Sequence, residues 1–173
     1  MSVYALAEKL GAVLLQLNAI CVTAESCTGG GVAKIITEVP GSSKWFDRAF
    51  VTYSNISKCE MLGVPEALLS QVGAVSKEVV CAMAVGALER SSADYSVAIS
   101  GIAGPDGGSA QKPVGLVWIA WAARAKGVLS VYQAHFTGDR HTIRERAIEY
   151  ALSTWLDLLN SITKMEIINE SKK

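Results

Sequence analysis

The sequence has few charged residues and no long apolar run. Only 18% of its 173 residues are charged, and 16 basic residues balance 16 acidic ones. Because the net charge is zero, the chain has no general attraction for nucleic acid or for an anionic membrane, and any anion must be bound by a local site. The most apolar stretch, residues 114–123, is too short to span a bilayer. We therefore expect neither nucleic acid nor a membrane as a partner.

Metal-binding and secretion patterns are missing as well. The four cysteines, at positions 21, 27, 59 and 81, form no C-x-x-C pair, and no H-E-x-x-H pattern is present. A chain of this length needs no disulfide, and its first residues lack the pattern of a signal peptide. The sequence thus predicts a cytoplasmic protein with reduced thiols, no metal centre and no other cofactor.

What the chain does contain is the composition of an α/β enzyme. Half of its residues are hydrophobic and 15 are glycine, which suits a compact fold with a single core. Apolar residues at three- and four-residue intervals predict helices, and short β-rich runs predict strands between them. Strands are expected at 20–24, 48–54 and 96–100, and helices at 3–17, after Gly29-Gly30-Gly31, around Lys58 to Leu62, from Pro65 and from a cap at Ser76.

The last third of the chain predicts a hairpin and a helix. Two β patterns, 114–123 and 128–136, are joined near Gly127, which suggests an antiparallel hairpin that completes an otherwise parallel sheet. The fold class expected is a three-layer α/β/α sandwich with a mixed, mostly parallel sheet and a C-terminal β-hairpin followed by a helix. Residues 1–160 should form one domain, and 161–173 a polar tail that frays. An apolar surface on the sheet or on the first helix would support a homodimer or a higher homo-oligomer.

Ser26 is a candidate nucleophile because it follows the first predicted strand directly. In open α/β sheets, ligands bind at the carboxyl ends of strands. The backbone N–H groups of Thr28, Gly29 and Gly30 would lie at a helix start, where they could stabilise an oxyanion or a phosphate. The same local sequence also suits a simple helix cap followed by a glycine turn. Cys27 could serve as the nucleophile instead, although a small buried packing role suits it better.

A serine nucleophile needs a base. His135 falls in a strand pattern and His141 in the last helix, and no G-x-S-x-G elbow is present, so each histidine is interpreted as structural or exposed. Lys58 can act as a base if burial keeps its amine neutral, and Tyr53 could relay a proton or orient it. Taken alone, Lys58 also suits a solvated helix and Tyr53 a half-buried strand.

Two other segments could bind an anion. The loop of residues 101–108 contains four glycines, Gly101, Gly104, Gly107 and Gly108, whose N–H groups could form an anion nest, although an ordinary Gly-Pro turn explains them equally. Arg140 and Arg144 lie four residues apart near the start of the last helix and could clamp a phosphate. A solvated charged face is the alternative for both.

Five separated motifs together resemble the CinA C-terminal family over residues 3–160. They are Ala-Glu-Ser-Cys-Thr-Gly-Gly, Tyr-Ser-Asn-x-x-Lys, Gly-x-Ala-Gly-Pro-x-Gly-Gly, Lys-Pro-Val-Gly and Gly-Asp-Arg. The family includes amidohydrolases that convert nicotinamide mononucleotide into nicotinate mononucleotide and ammonia, recycling a pyridine nucleotide toward NAD. The resemblance implies Ser26 as nucleophile, Lys58 as general base, Tyr53 as its partner, and Arg140 as a ligand-binding residue.

The resemblance leaves two other functions open. One is a non-catalytic nucleotide-binding or regulatory protein that keeps the pocket without useful turnover, because a fold does not determine a function. The other is an amidase or esterase for a different small substrate. If the chain is an amidohydrolase of this family, the expected partner is a small-molecule nucleotide substrate.

Overall fold

Five strands and six α-helices follow one another along residues 1–170, the part of the chain that the computed structural model describes. In order they are α1 (Val3–Gln16), β1 (Cys21–Glu25), α2 (Gly31–Thr37), a 3-10 turn (Ser42–Lys44), β2 (Phe46–Val51), α3 (Asn55–Leu62), α4 (Glu66–Val72), α5 (Lys77–Glu89), β3 (Tyr95–Gly101), β4 (Leu116–Ala123), β5 (Gly127–His135) and α6 (Arg140–Glu170). The predicted order of helices and strands is confirmed.

The strands form one mixed sheet in the order β2-β1-β3-β4-β5. Strand β1 pairs in parallel with both β2 and β3, and β4 is antiparallel to β3 and to β5. Four strands therefore point the same way and β4 alone opposes them. The predicted hairpin that completes a mostly parallel sheet is confirmed.

Helices cover both faces of this sheet. Helices α1, α2 and α6 pack against one face of the sheet and bury a core there. This core includes Leu10, Ile36, Trp121 and Trp155. Helices α3, α4 and α5 bury a second core against the other face, with Met83 at its centre. Strand β1 is buried at all five residues because both layers cover it. The three-layer sandwich expected from the sequence is confirmed.

The connections create a crevice at the carboxyl end of β1. From β1 the chain crosses one face through α2 and joins the sheet on one side as β2. It then crosses the opposite face through α3, α4 and α5 and joins on the other side of β1 as β3. Chain segments that leave neighbouring strands in opposite directions open a crevice between them, which is where ligands bind in such sheets. Ser26 lies at this point.

Most strand boundaries differ from the predictions by only one or two residues, but two elements end further from their predicted positions. Strand β2 ends at Val51, so Tyr53 lies in a loop, because Ser54 already caps α3 by accepting a hydrogen bond from the N–H of Ser57. Helix α6 continues past Asn160 to Glu170, where we expected a fraying tail. One reason is that Ile162 still packs against the core of α1 and α6, so helix burial does not stop at Asn160.

The cap predicted at Ser76 is confirmed, since its Oγ accepts a hydrogen bond from the N–H of Val79.

Within residues 1–170, none of the helices has both the length and the apolar character needed to cross a membrane.

Candidate active site

Ser26 is fixed by the sheet at the end of β1. Its backbone N–H donates to the carbonyl oxygen of Ile99 in β3, at 3.0 Å, so the β1–β3 ladder extends to the serine itself. The residue is buried but lines a pocket of about 270 Å³ at the carboxyl ends of β1 and β3. Its hydroxyl is thus presented to a cavity from a rigid strand end.

Lys58 reaches Ser26 from the second turn of α3. Its Nζ lies 3.1 Å from Ser26 Oγ and 2.9 Å from the carbonyl oxygen of Thr52. Thr52 is itself tied to β1, because its N–H donates to the Glu25 carbonyl at 2.8 Å. Only 1% of the Lys58 surface is exposed. The structure thus brings a serine and a buried lysine together in the pocket, within hydrogen-bond distance.

Burial lowers the pKa of the Lys58 amine, because the charged form loses its hydration. The thiols of Cys27 and Cys59 lie close enough to act against this shift if they ionise. Burial raises the pKa of the Cys27 thiol to about 12, so at neutral pH it is protonated and contributes no negative charge. Desolvation is therefore the dominant effect, and it favours the neutral amine, the form that can accept a proton from Ser26.

The Tyr53 hydroxyl lies at the mouth of the pocket and bonds to Arg140. Arg140 donates through one terminal nitrogen to the Tyr53 hydroxyl and through the other to the Gly104 carbonyl, both at 2.8 Å. The tyrosine is 61% exposed, and the lysine contacts are made with Ser26 and Thr52 instead. This geometry favours a role for Tyr53 in holding Arg140, whereas orientation of Lys58 falls to the Thr52 carbonyl.

The pocket gathers most of the predicted site residues but not all. Ser26, Tyr53, Lys58, Gly101, Gly104, Gly107 and Arg140 line it. Thr28, Gly29, Gly30 and Gly108 lie outside its lining.

The three residues expected to supply oxyanion donors, Thr28, Gly29 and Gly30, do not line the pocket. Thr28 is fully buried, and its hydroxyl donates to the Glu25 carboxylate at 2.7 Å. The N–H of Gly29 donates to the Ser26 carbonyl at 3.0 Å, and Gly30 is the cap residue of α2. Cys27, Ala103 and Gly104 do line the pocket, and their backbone N–H groups are alternative candidates for binding an oxyanion.

Arg144, the second arginine of the last helix, contacts the loop that follows Ser26 and does not line the cavity. Its Nε donates to the Cys27 carbonyl at 3.1 Å, and a terminal nitrogen donates to the Thr28 carbonyl at 2.9 Å. The phosphate-clamp interpretation therefore fits Arg140 and does not fit Arg144.

Neither histidine of the sequence lines the pocket. His135 and His141 are exposed on β5 and α6, outside the residues that line it. Across residues 1–170, no group of three or more His, Cys, Asp or Glu side chains is arranged to hold a metal ion.

Comparison with known proteins identifies the family. The family model described as the CinA C-terminal domain matches residues 3–159. The chain belongs to the CinA C-terminal domain family. It is 54% identical over 158 residues to the nicotinamide-nucleotide amidohydrolase PncC of Escherichia coli K12, covering 90% of this chain and 94% of that one. A protein of the same name from Pseudomonas putida is 54% identical over 153 residues, 88% of this chain and 94% of the relative.

A solved structure agrees with this family in fold. The competence/damage inducible protein CihA from Agrobacterium tumefaciens superposes with a TM-score of 0.87 at 44% identity, and the match covers 91% of this chain and 99% of that one. Together with the amidohydrolase relatives, this similarity over nearly the whole domain supports an enzyme that hydrolyses an amide bond.

Sequence reasoning missed several residues at the site. Asn55, Ser100 and Asp106 line the pocket, and Glu25 anchors the loop behind it. Asn55 and Glu25 are named residues of two quoted motifs, which was the available signal, whereas Asp106 occupies an unspecified position of the Gly-x-Ala-Gly-Pro-x-Gly-Gly motif.

Proposed function

We propose that this chain is a nicotinamide-nucleotide amidohydrolase, which converts nicotinamide mononucleotide and water into nicotinate mononucleotide and ammonia. The observation that carries the proposal is the 3.1 Å contact between Ser26 Oγ and the Nζ of Lys58, a lysine with 1% exposure. The names of the amidohydrolase relatives, at 54% identity, support the choice of substrate.

The reaction begins when neutral Lys58 takes the proton of the Ser26 hydroxyl and the oxygen attacks the carboxamide carbon. The tetrahedral intermediate carries its negative charge on the former carbonyl oxygen. Collapse breaks the C–N bond, and Lys58 returns the proton to the departing nitrogen, which leaves as ammonia. Water, deprotonated by the same amine, then hydrolyses the acyl-enzyme and frees Ser26.

Backbone N–H groups on the pocket wall would stabilise the oxyanion. Cys27 follows the nucleophile directly, and Ala103 and Gly104 lie across the pocket on the loop after β3. Fixed N–H dipoles placed at a developing negative charge need no reorganisation during the reaction. The catalytic set would thus consist of Ser26, Lys58 and these donors.

Arg140 would bind the substrate phosphate, and backbone N–H groups of the loop of residues 101–108 would add to the binding. Its two known bonds, to Tyr53 and Gly104, leave further N–H donors of the guanidinium available. The phosphate would approach at the pocket mouth, because Arg140 is exposed and lines the pocket there. A small-molecule nucleotide in a cytoplasmic setting is the corresponding partner.

The test is ammonia release from nicotinamide mononucleotide by purified protein. We expect wild type to release ammonia, Ser26→Ala to release none above background, and Ser161→Ala, which removes a hydroxyl bonded only to Asp157 on α6, to match wild type. Equal activity in Ser26→Ala would exclude Ser26 as the nucleophile. Saturable nucleotide binding without ammonia release would favour a binding protein, and release from other amides alone would favour a different amidase.

A further inference from the structure

The loop that carries Ser26 contains two glycines in a left-handed conformation, so its own backbone does not fix its path. Gly29 and Gly30 have φ values of +61° and +89°, and the loop connects β1 to the short helix α2. Glycine gives a loop more conformational freedom than any other residue. The β1–β3 ladder fixes the Ser26 backbone, so contacts from outside the loop must determine the path of the residues that follow the serine.

Glu25 provides one such set of contacts from beneath the loop. This carboxylate is fully buried at the end of β1. One oxygen accepts from the Thr28 hydroxyl at 2.7 Å and from the N–H of Val32 at 3.1 Å, and the other accepts from the N–H of Ala33 at 2.9 Å and from the Thr23 hydroxyl at 3.2 Å. Four donors satisfy both oxygens, so the carboxylate joins β1, the loop and the first turn of α2.

Arg144 provides the second set from α6. Its guanidinium is part-buried and donates to two successive loop carbonyls, Cys27 at 3.1 Å and Thr28 at 2.9 Å. Glu25 thus engages donors of the loop and of α2 while Arg144 engages loop acceptors. Thr28 is bound by both, through its hydroxyl and through its carbonyl.

We propose that Glu25 and Arg144 are positioning residues that together hold the Ser26 loop, so that Ser26 Oγ stays within hydrogen-bond distance of Lys58 Nζ. Both residues lie outside the pocket lining, so they act on the reaction through the loop and without touching the substrate. The inference rests on the proposed function for its reaction, but its geometry concerns the serine and lysine alone.

Displacement of a nucleophile by about 1 Å can cost about 10²-fold in rate. Glu25→Gln replaces one acceptor oxygen by an amide NH₂, which would point a donor at donors of the loop or of α2. Arg144→Met keeps the aliphatic stem of the side chain and removes both bonds to the loop. We expect each variant to lower kcat by about 10- to 100-fold and to change KM by less than about threefold.

Arg146→Met is the matched control on the same helix. Arg146 is exposed and bonds only to the carbonyl and hydroxyl of Thr137, away from the loop. We expect this variant to keep the wild-type kcat. Because Glu25 and Arg144 hold the same loop, the double variant Glu25→Gln/Arg144→Met should lose less activity than the product of the two single losses.

A second measurement separates this inference from the choice of substrate. A fluorophosphonate reagent labels an activated serine without any nucleotide, and mass spectrometry of the peptide containing Ser26 gives the labelling rate. If the reagent labels Ser26 of wild type but wild type releases no ammonia, the substrate proposal fails. Slower labelling of the Glu25→Gln and Arg144→Met variants would still support the positioning role. If wild type is not labelled, the activated pair and its positioning are both overturned.

A purely structural role would give a different pattern. It would lower the melting temperature of Glu25→Gln and Arg144→Met while kcat and labelling rate per folded molecule stayed within about twofold of wild type, and that result overturns the inference. Hydrogen exchange of residues 26–33 should accelerate in both variants and not in Arg146→Met. Should Glu25→Gln fail to fold, Arg144→Met decides the question by the same measurements.

Discussion

Replacement of Lys58 by methionine should abolish activity and also change how stability depends on pH. Methionine fills a similar apolar volume but offers no base, so we expect kcat to fall by about 10²- to 10⁴-fold, the usual contribution of a general base. Lys58→Arg is the matched control, because arginine keeps a positive charge at every accessible pH. It should be equally inactive and less stable, since a charge that cannot be neutralised would be buried there.

The stability effect follows from the lowered pKa of Lys58 in the folded protein. Its unfolded pKa is 10.5, so between the folded pKa and 10.5 the unfolded chain binds more protons than the folded one. In that window the free energy of unfolding of wild type falls as pH falls, by about 1.4 kcal/mol per pH unit where the effect is steepest. Above 10.5 the lysine causes no such penalty, and below the folded pKa the penalty is constant.

The Lys58→Met variant lacks this titration. Its free energy of unfolding, relative to wild type, should therefore rise as pH falls through the window and then level off. Loss of the bond to the Thr52 carbonyl adds a pH-independent cost of about 1–3 kcal/mol, which shifts the difference without changing its shape. Titrating groups that do not interact with Lys58 occur in both proteins and cancel in the difference.

Two assays locate the same pKa independently. Urea unfolding of both proteins at a series of pH values gives the pH at which the stability difference levels off. The acid limb of kcat/KM for wild type, measured by ammonia release, gives the pKa of the base in the free enzyme. The two values should agree within about one pH unit. A stability difference that does not change with pH, or a kcat/KM without an acid limb, would refute the assignment of a neutral Lys58 as base.

Three further predictions concern the pocket mouth and the core. Tyr53→Phe removes the 2.8 Å bond to Arg140 and should change KM for the mononucleotide, while the acid limb of kcat/KM remains. Loss of that acid limb would indicate that Tyr53 takes part in proton transfer. Arg140→Ala should raise KM for nicotinamide mononucleotide about tenfold or more and leave KM for the nucleoside without phosphate unchanged, which steady-state kinetics checks. Gly86→Ala should lower the free energy of unfolding by more than about 2 kcal/mol in urea, because a Cβ there would overlap the Leu62 carbonyl; wild-type stability would contradict the close packing of α3 on α5.

The elements could be predicted because their signals are local. In α5, a capping serine at position 76 precedes apolar residues at helical spacing, and Val79, Val80 and Met83 are all buried in the structure. The hairpin of β4 and β5 likewise follows from two β-rich runs joined at Gly127. Because β1 and β2 are parallel neighbours, the residues that follow them had to meet at one edge of the sheet, as Ser26 and Lys58 do.

The direction of the Ser26 loop could not be predicted from sequence. A glycine pair next to a strand end suggests N–H groups that face a ligand, but in the structure Thr28 bonds to Glu25, and the Gly29 N–H bonds to the Ser26 carbonyl. Glu25 belongs to the first quoted motif, but the motif does not indicate its role, since its donors come from positions 23, 28, 32 and 33 and meet only after folding. Arg144 lies 117 positions from Cys27, so its contact with the loop is equally non-local.

The sheet and the surface loops hold different parts of the site. Backbone bonds to the sheet fix the chain at Ser26 and beside Lys58, because the Ser26 N–H donates to β3 and Thr52, whose carbonyl accepts from Lys58, donates its N–H to Glu25 of β1. The Glu25 and Arg144 side chains add to this by holding the loop that follows Ser26. At the mouth of the pocket, side-chain bonds join separate loops, because Arg140 bridges Tyr53 and Gly104. Changes in strand register should therefore act on kcat, whereas changes at the mouth should act on KM. This separation would allow substrate preference to change at Arg140 and its neighbours while the serine and lysine keep their geometry.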